Sequence, residues 1–560
     1  MVSVVWLSWH RPEIIGRGYW DQGMLEAALD GSLAAITRPF EFTHLTELSA
    51  VPPGQGAVVV VPARHHTADI DRLNAELAAL PWVVLFLTGD EAHTFPVELL
   101  SHPELRTWVM TPDPVRHDGP RVMLTGWPPQ AREELAGATG EALTRPLDWF
   151  FAGQATNQRR LDCLDQLGLL HGGEAHPSRG FTQGLDPHVY YRKLAGSKVA
   201  PCPSGPVSVD TFRVAEALEA GCLPIADGRT PHRGERSFWT LVFGEEPPFP
   251  VVEDWEALPG LVPALLADWP ANANQAFAWW QLYKRRLARA IHEDVAAHVS
   301  RPTPTLDDLV TVLIPTSPIP GHPDTSIIEQ TIGSVRHHFP AAEVLVMIDG
   351  VRDEQDHRSA AYAEYTRRLL WLTNQWPNVT PLLFTSHHHQ AAMTRRALDL
   401  VDTPTVLFVE HDTPLVTDCP IEWPELVEAV TAGYADVVRL HHEALVLDEH
   451  QHLMIDKEAL YPTGAPMLRT AQWSQRPHLA SAVYYRDILD RHFGPDDRIM
   501  IEDVMHGVTE AAWRDGLLGW CRHRLWLYAP QDGNMKRSAH LDGRGGDPKY
   551  AMWHAGRWFE

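Results

Sequence analysis

Residues 196–225, GSKVAPCPSGPVSVDTFRVAEALEAGCLPI, set two apolar strands (Lys198–Cys202 and Cys222–Ala226) around a Pro/Ser/Gly loop and a single helix. Strands joined by one crossover helix lie parallel in a sheet, which commits this part of the chain to an α/β fold. The loop-to-helix step points free backbone N–H groups and the positive end of the helix dipole at whatever occupies the loop, and this suits a diphosphate. Arg213 would fork onto phosphate oxygens. Glu216, three residues on and on the same helical face, would accept hydrogen bonds from ribose hydroxyls. The same segment also reads as ordinary α/β packing in which Arg213 and Glu216 only pair with each other.

At 560 residues the chain is too long for one hydrophobic core, so two or three domains are expected. Short apolar runs ending in Gly, Pro or His loops recur at Val2–Leu7, Ala57–Pro62, Val83–Leu87 and Trp108–Met110, and again at Trp149–Phe151, Val199–Cys202, Leu223–Ala226 and Phe249–Val252. Two successive sets of this kind predict two doubly wound lobes, about 1–145 and 146–265, closed by helices over 266–300 that pack back across them. A Pro-rich break, SRPTPTLDD, gives a linker over 301–308. A new strand-first pattern then starts at Leu309–Pro315 and continues through Glu343–Ile348, Pro381–Thr385 and Thr405–Val409, which predicts a further domain over 309–560.

The segment S-K-V-A-P-C-P-S-G, then R-V-A-E-A at Arg213–Ala217 and G-C-L-P-I at Gly221–Ile225, resembles the nucleotide-sugar half-site of exostosin-like glycosyltransferases. DWFFAG at Asp148–Gly153, followed by Arg159-Arg160, and FPVVEDWEAL at Phe249–Leu258 extend the resemblance over 145–265; residues 1–145 match only loosely. The resemblance implies a GT-B pair of Rossmann lobes over 1–300, with Arg213, Glu216 and Ser208 on the donor. Asp210 stands where the family has a Ser. Asp227 and Asp90 are the carboxylates considered for chemistry in this part.

The later segment, VTVLIPTSPIP…IIEQTIGSVRHHFPAAEVLVMIDG, resembles the opening of inverting GT-A glycosyltransferases of the family-two type. By match, Pro315, Thr316 and Asp349 would hold the nucleotide base. Thr394-Arg395-Arg396-Ala397 corresponds to the family's basic helix and puts Arg395 with the donor. Glu410-His411-Asp412 stands where the family has its acid-x-acid motif at a strand end, with Glu in place of the usual first Asp. Carboxylates there suit a hard divalent cation that neutralises the leaving diphosphate. Glu502-Asp503 matches the acid pair at a helix start. Asp503, then Glu502, is the candidate base for the acceptor hydroxyl, and a helix start also favours acids for purely structural reasons. His540, after the last expected strand (Leu525–Tyr528), would add a metal ligand, with Lys536 and Arg537 on the diphosphate and GRGG at 543–546 letting the tail close over the donor.

The implied function is a bifunctional, nucleotide-sugar-dependent glycosyltransferase using a UDP- or GDP-sugar, with Mn2+ or Mg2+ in the C-terminal module. The net charge of −25 disfavours a stable duplex-binding patch and favours a polysaccharide or small glycan precursor as acceptor. The 21 tryptophans, suited to stacking on a flipped base, keep open an enzyme of phage type acting on hydroxymethylated pyrimidines in DNA. A non-catalytic sugar- or nucleotide-binding scaffold is the alternative for the N-terminal module. The five scattered cysteines fit a reducing compartment. With no basic leader and no apolar run of about 18 residues, a cytoplasmic bacterial or viral enzyme without a membrane anchor is expected. The histidine clusters at 65–66, 387–389 and 441–442 are poor chelates, because adjacent strand residues face opposite ways.

Overall fold

A computed structural model describes residues 1–7, 22–33, 40–62, 70–113, 121–180, 183–299 and 303–541. The histidines at 65–66 and the GRGG segment at 543–546 lie outside the described residues. The chain divides into two compact units, Met1–Pro302 and Thr303–Glu560. It is a mixed α/β protein with two parallel sheets and one mixed sheet.

The first unit holds both parallel sheets. One contains β1 (Val2–Trp6), β2 (Phe42–Leu45), β3 (Ala57–Pro62), β4 (Val83–Thr88), β5 (Leu105–Met110) and β6 (Arg121–Met123), in the order β2-β1-β3-β4-β5-β6. The other contains β7 (Leu147–Gln154), β8 (Gly173–Ser178), β9 (Ser197–Cys202), β10 (Leu223–Asp227) and β11 (Val251–Val252), in the order β11-β10-β9-β7-β8. The unbroken apolar runs AVVVVP and VVLFLT are buried at every position, as in a sheet covered on both faces. The helix Trp269–Ala296 runs past both sheets. Its Trp280 and Lys284 bond Glu219 at 2.9 and 2.7 Å, while His292 meets Ala28 O at 3.0 Å and Asp294 accepts from Trp108 at 2.9 Å.

The second unit is built on one sheet: β12 (Val310–Thr316), β13 (Glu343–Ile348), β14 (Val379–Leu383), β15 (Thr405–Phe408), β16 (Val437–Arg439), β17 (Met467–Arg469), β18 (His478–Ser481) and β19 (Leu525–Tyr528). The order is β14-β13-β12-β15-β18-β16-β19-β17. β12 pairs in parallel with β13 and β15, and β18 runs antiparallel between β15 and β16. The C-terminal ends of β12, β13, β15 and β16 therefore share one edge with the start of β18. Loops leaving that edge are where a sheet of this kind places ligands. Among the described residues no helix is long and apolar enough to cross a membrane.

Candidate functional site

In the first unit the helix Phe212–Glu219 starts beyond β9, as expected, but its two marked residues part company. Arg213 lies across the end of β7: its Nε donates to Ala152 O at 2.7 Å and its guanidinium sits 5.3 Å from the centre of the Phe151 ring. A Cβ on Gly153 would fall 1.5 Å from Arg213 Nη2, so only glycine admits this path. Glu216 turns inward instead and accepts the hydroxyls of Tyr190 and Tyr191 at 2.7 and 2.6 Å. It is 6% exposed, and burial pushes its carboxyl up. Both of its oxygens are thus already engaged inside the protein, and it does not pair with Arg213.

Arg160 is the residue that the sequence passed over. It is buried, with Nε donating to Ser204 O at 3.0 Å and Nη1 to Gln154 O at 3.2 Å. Burial, and then the charge of Arg213, lower its pKa to about 9. Two guanidiniums therefore face one region and, among the described residues, bond only to carbonyl oxygens. In the same loop Ser204 Oγ and Thr211 Oγ1 are buried without a partner among the described residues. Donors of this type, beside a helix start, are the chemistry of an anion site.

Ser208 and Asp210 do other work. Asp210 N donates to Ser208 Oγ at 3.1 Å. Asp210 Oδ2 accepts Thr125 N and Thr125 Oγ1, both at 2.8 Å, and Thr111 Oγ1 at 3.1 Å. The residue that departs from the family pattern thus ties the loop after β9 to the ends of β5 and β6. Thr111 holds a positive φ of 59° there, which a β-branched residue adopts only under constraint. Asp227 and Asp90 are both engaged by the surrounding chain. Asp227 is fully buried and takes Arg159 in an ion pair along with Ser204 N and Trp255 Nε1. Asp90 accepts Thr94 N and Phe95 N, closing the turn after β4. A cavity of about 240 Å3 opens nearby, lined by His93, Asp113, Val207, His232 and Arg233 among others.

In the second unit Glu410, Asp412 and Glu502 come together at the shared strand edge. Glu410 and Asp412 follow β15, and Glu502 and Asp503 open the helix Ile501–Trp513. Burial first, then the charges of Asp412 and Glu502, push Glu410 up to about 8. Gln390 Nε2 donates to Glu410 Oε1 at 3.0 Å. Asp412 ends at about 2: burial pushes it up, and the charges of His411 and His540, with a hydrogen bond from His540, outweigh that. His540 Nε2 stands 3.4 Å from Asp412 Oδ2. Glu502 is half-buried and accepts Gln475 N at 2.8 Å, whereas Asp503 is exposed.

The expected metal trio of Glu410, Asp412 and His540 is not assembled: among the described residues no three His, Cys, Asp or Glu side chains are gathered as a metal site. Glu410 Oε1 is taken by Gln390 Nε2, and Asp412 and His540 are the near pair.

Thr316 and Asp349 lie at adjacent strand ends, where Asp349 N donates to Thr316 O at 3.0 Å. Thr316 Oγ1 is 2.9 Å from Tyr365 Oη, and Pro315 O accepts His411 N. The carboxylate of Asp349 is taken up by the chain itself: it accepts Gly350 N, His388 N and His389 N at 2.8, 2.7 and 3.0 Å, with His387 Nδ1 at 2.9 Å. The histidine run 387–389 is thus a wrapping for Asp349. A Cβ on Gly350 would strike the Ser386 carbonyl carbon at 2.2 Å, so the wrap needs that glycine.

Arg395 is not at this edge group. Its guanidinium takes Asp490, Leu489 O and Phe493 O, because the open carbonyls at the end of the helix Ala482–His492 and the neighbouring carboxylate attract a cation. Arg537 is likewise buried, against Asp532 and the carbonyls of Pro420 and Asn534.

No family model matches this chain, and no curated protein matches its sequence. Among solved structures, TarS (residues 1–349) of S. aureus aligns at 12% identity over 41% of this chain and 60% of its own, with a TM-score of 0.27. The mannosyltransferase PcManGT from Pyrobaculum calidifontis, in complex with GDP-Man and Mn2+, aligns at 16% over 44% of this chain and 61% of its own, TM-score 0.26. The bifunctional IspDF from Campylobacter jejuni aligns at 11% over 40% and 51%, TM-score 0.22. This chain therefore spans 51–61% of the length of these proteins, and at such TM-scores the likeness decides neither fold nor activity.

Proposed function

We propose that the chain is a two-module glycosyltransferase fed by nucleotide sugars, a GT-B-type module over 1–300 followed by an inverting GT-A-type module over 309–560. The observation that carries this reading is the meeting of Glu410, Asp412 and Glu502 beside the strand ends of Thr316 and Asp349. Burial there, and then the charges of Asp412 and Glu502, push the Glu410 carboxyl up to about 8. Carboxylate and imidazole donors fit Mn2+ or Mg2+, and Asp412 with His540 would hold it. Such a cation, when bound, supplies charge neutralisation for the departing diphosphate.

Asp503, exposed on the first turn of its helix, takes the acceptor hydroxyl's proton. Glu502 holds the 475 segment in place through Gln475 N. Thr316 and the wrapped Asp349 form the floor on which the nucleotide base rests. In the first module Arg160 and Arg213 hold the diphosphate. The acidic chain favours a polysaccharide or small glycan precursor as acceptor.

For the first module a second reading has support of its own. Glu216, Asp90 and Asp227 are all satisfied internally, so this module binds a nucleotide sugar without turning it over. The test is hydrolysis and transfer from a panel of UDP- and GDP-sugars. Turnover that stops in EDTA, returns with Mn2+ and is lost in Asp412→Asn is expected. Undiminished turnover in chelator removes the metal from the reading, and no turnover of any donor removes the transferase.

A further inference from the structure

Arg439 ends β16 on the same edge as Glu410 and Asp412. It is 3% exposed, yet among the described residues it makes no ion pair. Nη1 donates to the neutral amide oxygen of Gln472 at 2.8 Å, and Nε is buried without a partner. Burial, and then the charge of Arg476, lower its pKa to about 9; the charges of Glu502 and Glu443 act the other way. Arg476 is the second cation of the group. It bonds Glu443 through both Nη atoms and His441 Nδ1 at 2.7 Å. The side chains of Arg476 and Glu443 are 20% and 32% exposed, so solvent reaches the cluster from that side.

A guanidinium taken out of water needs a counter-charge and partners for its fork of donors. Arg439 has neither in full among the described residues, and Glu502, whose charge acts on it, gives its Oε2 to Gln475 N. We propose that Arg439 and Arg476 form an anion subsite for the acceptor, so that the molecule offering its hydroxyl to this edge also carries a phosphate or a carboxylate. The acceptor part of this proposal rests on the transferase reading of the second module. The anion site itself does not.

Inorganic phosphate and, separately, acetate are titrated calorimetrically into the full chain as wild type, Arg439→Gln, Arg476→Gln and Arg213→Ala. Apart from any site at Arg160 and Arg213, one anion site is expected, present in both wild type and Arg213→Ala, that either Gln variant weakens ten-fold or more, and the anion that shows it identifies the class. Isotherms that neither Gln variant alters overturn the proposal. If Arg439→Gln melts early by circular dichroism, the partly exposed Arg476→Gln decides.

Donor hydrolysis by wild type reports the transferase reading separately. Anion binding lost in the variants with no donor ever hydrolysed sinks that reading and keeps the site. Where donor turns over, glycerol 3-phosphate or glycerate accepts sugar at least ten-fold faster than glycerol, and Arg476→Gln erases the preference. Equal rates for the three acceptors overturn the acceptor assignment.

Discussion

Gln390 donates to Glu410 Oε1 at 3.0 Å, and the oxygen of the same amide accepts the backbone N–H of Ile501 at 3.1 Å. One buried side chain thus fixes the strand-end acid to the helix that carries Glu502 and Asp503. Gln390→Leu keeps the volume and leaves a buried acceptor and a helix-start N–H unmet. Each unmet group costs about 1–3 kcal/mol. A loss of about 2 kcal/mol or more in urea unfolding is expected for the second unit's transition, and a change below about 0.5 kcal/mol would show that the bridge carries no energy.

Much of the strand framework was legible because parallel strands buried on both faces read as plain apolar runs: 57–62, 343–348 and 525–528 appear in the structure with the expected limits. The strands that escaped notice lack such runs. Gly173–Ser178 reads GEAHPS at a sheet edge, and β16 and β17 have three residues each. Site residues were harder, because a motif gives spacing along the chain and not the direction of a side chain. The helical spacing of Arg213 and Glu216 did not reveal the two tyrosine hydroxyls that draw Glu216 inward. Arg160 was visible only as one of two adjacent arginines. Arg395 had a basic-helix signature that a helix end and Asp490 satisfy equally well. Nothing local marks Gln390, whose two partners lie 20 and 111 residues away.

The paired arginines of the first unit make a second prediction. Arg213→Ala removes one charge-assisted contact to a bound diphosphate, about 1.5–3 kcal/mol, or roughly 10- to 150-fold in Kd. Calorimetry with UDP and GDP on the full chain in EDTA should show the loss at one of its sites, and Glu216→Gln should leave that affinity within a few-fold, since its oxygens serve Tyr190 and Tyr191. Equal losses in the two variants would return Glu216 to the ribose; no loss in either would make Arg213 a packing residue over Gly153.

The two acids at the helix start separate by kinetics. Asp503→Asn retains hydrogen bonding and loses the base, so transfer falls about 10²–10⁴-fold while donor affinity stays put. Glu502→Gln keeps an oxygen for Gln475 N and lowers transfer far less. A Glu502→Gln enzyme that is the slower of the two would exchange their roles.

Asp210 makes stability of the first unit depend on pH in a direction opposite to that of most carboxylates. Burial outweighs its three hydrogen bonds to Thr125 and Thr111 and raises its pKa from 3.8 to about 6. The neighbouring charge of Glu91 acts in the same sense, upward. The folded state therefore holds this proton more tightly than the unfolded state does. The resulting stabilisation is complete below 3.8 and is lost as pH rises through about 6. At about 1.4 kcal/mol per pKa unit the whole swing is on the order of 3 kcal/mol. Asp210→Asn retains an acceptor for Thr125 N and the hydroxyls and cannot ionise. Any unmet N–H of the new amide shifts its stability by the same amount at every pH. The difference in unfolding free energy, variant minus wild type, should consequently climb by about 2–3 kcal/mol between pH 4 and pH 7.5 in urea titrations. A difference that stays flat across that range would mean that Asp210 is ionised throughout, with Thr125 and Thr111 stabilising its charge in full.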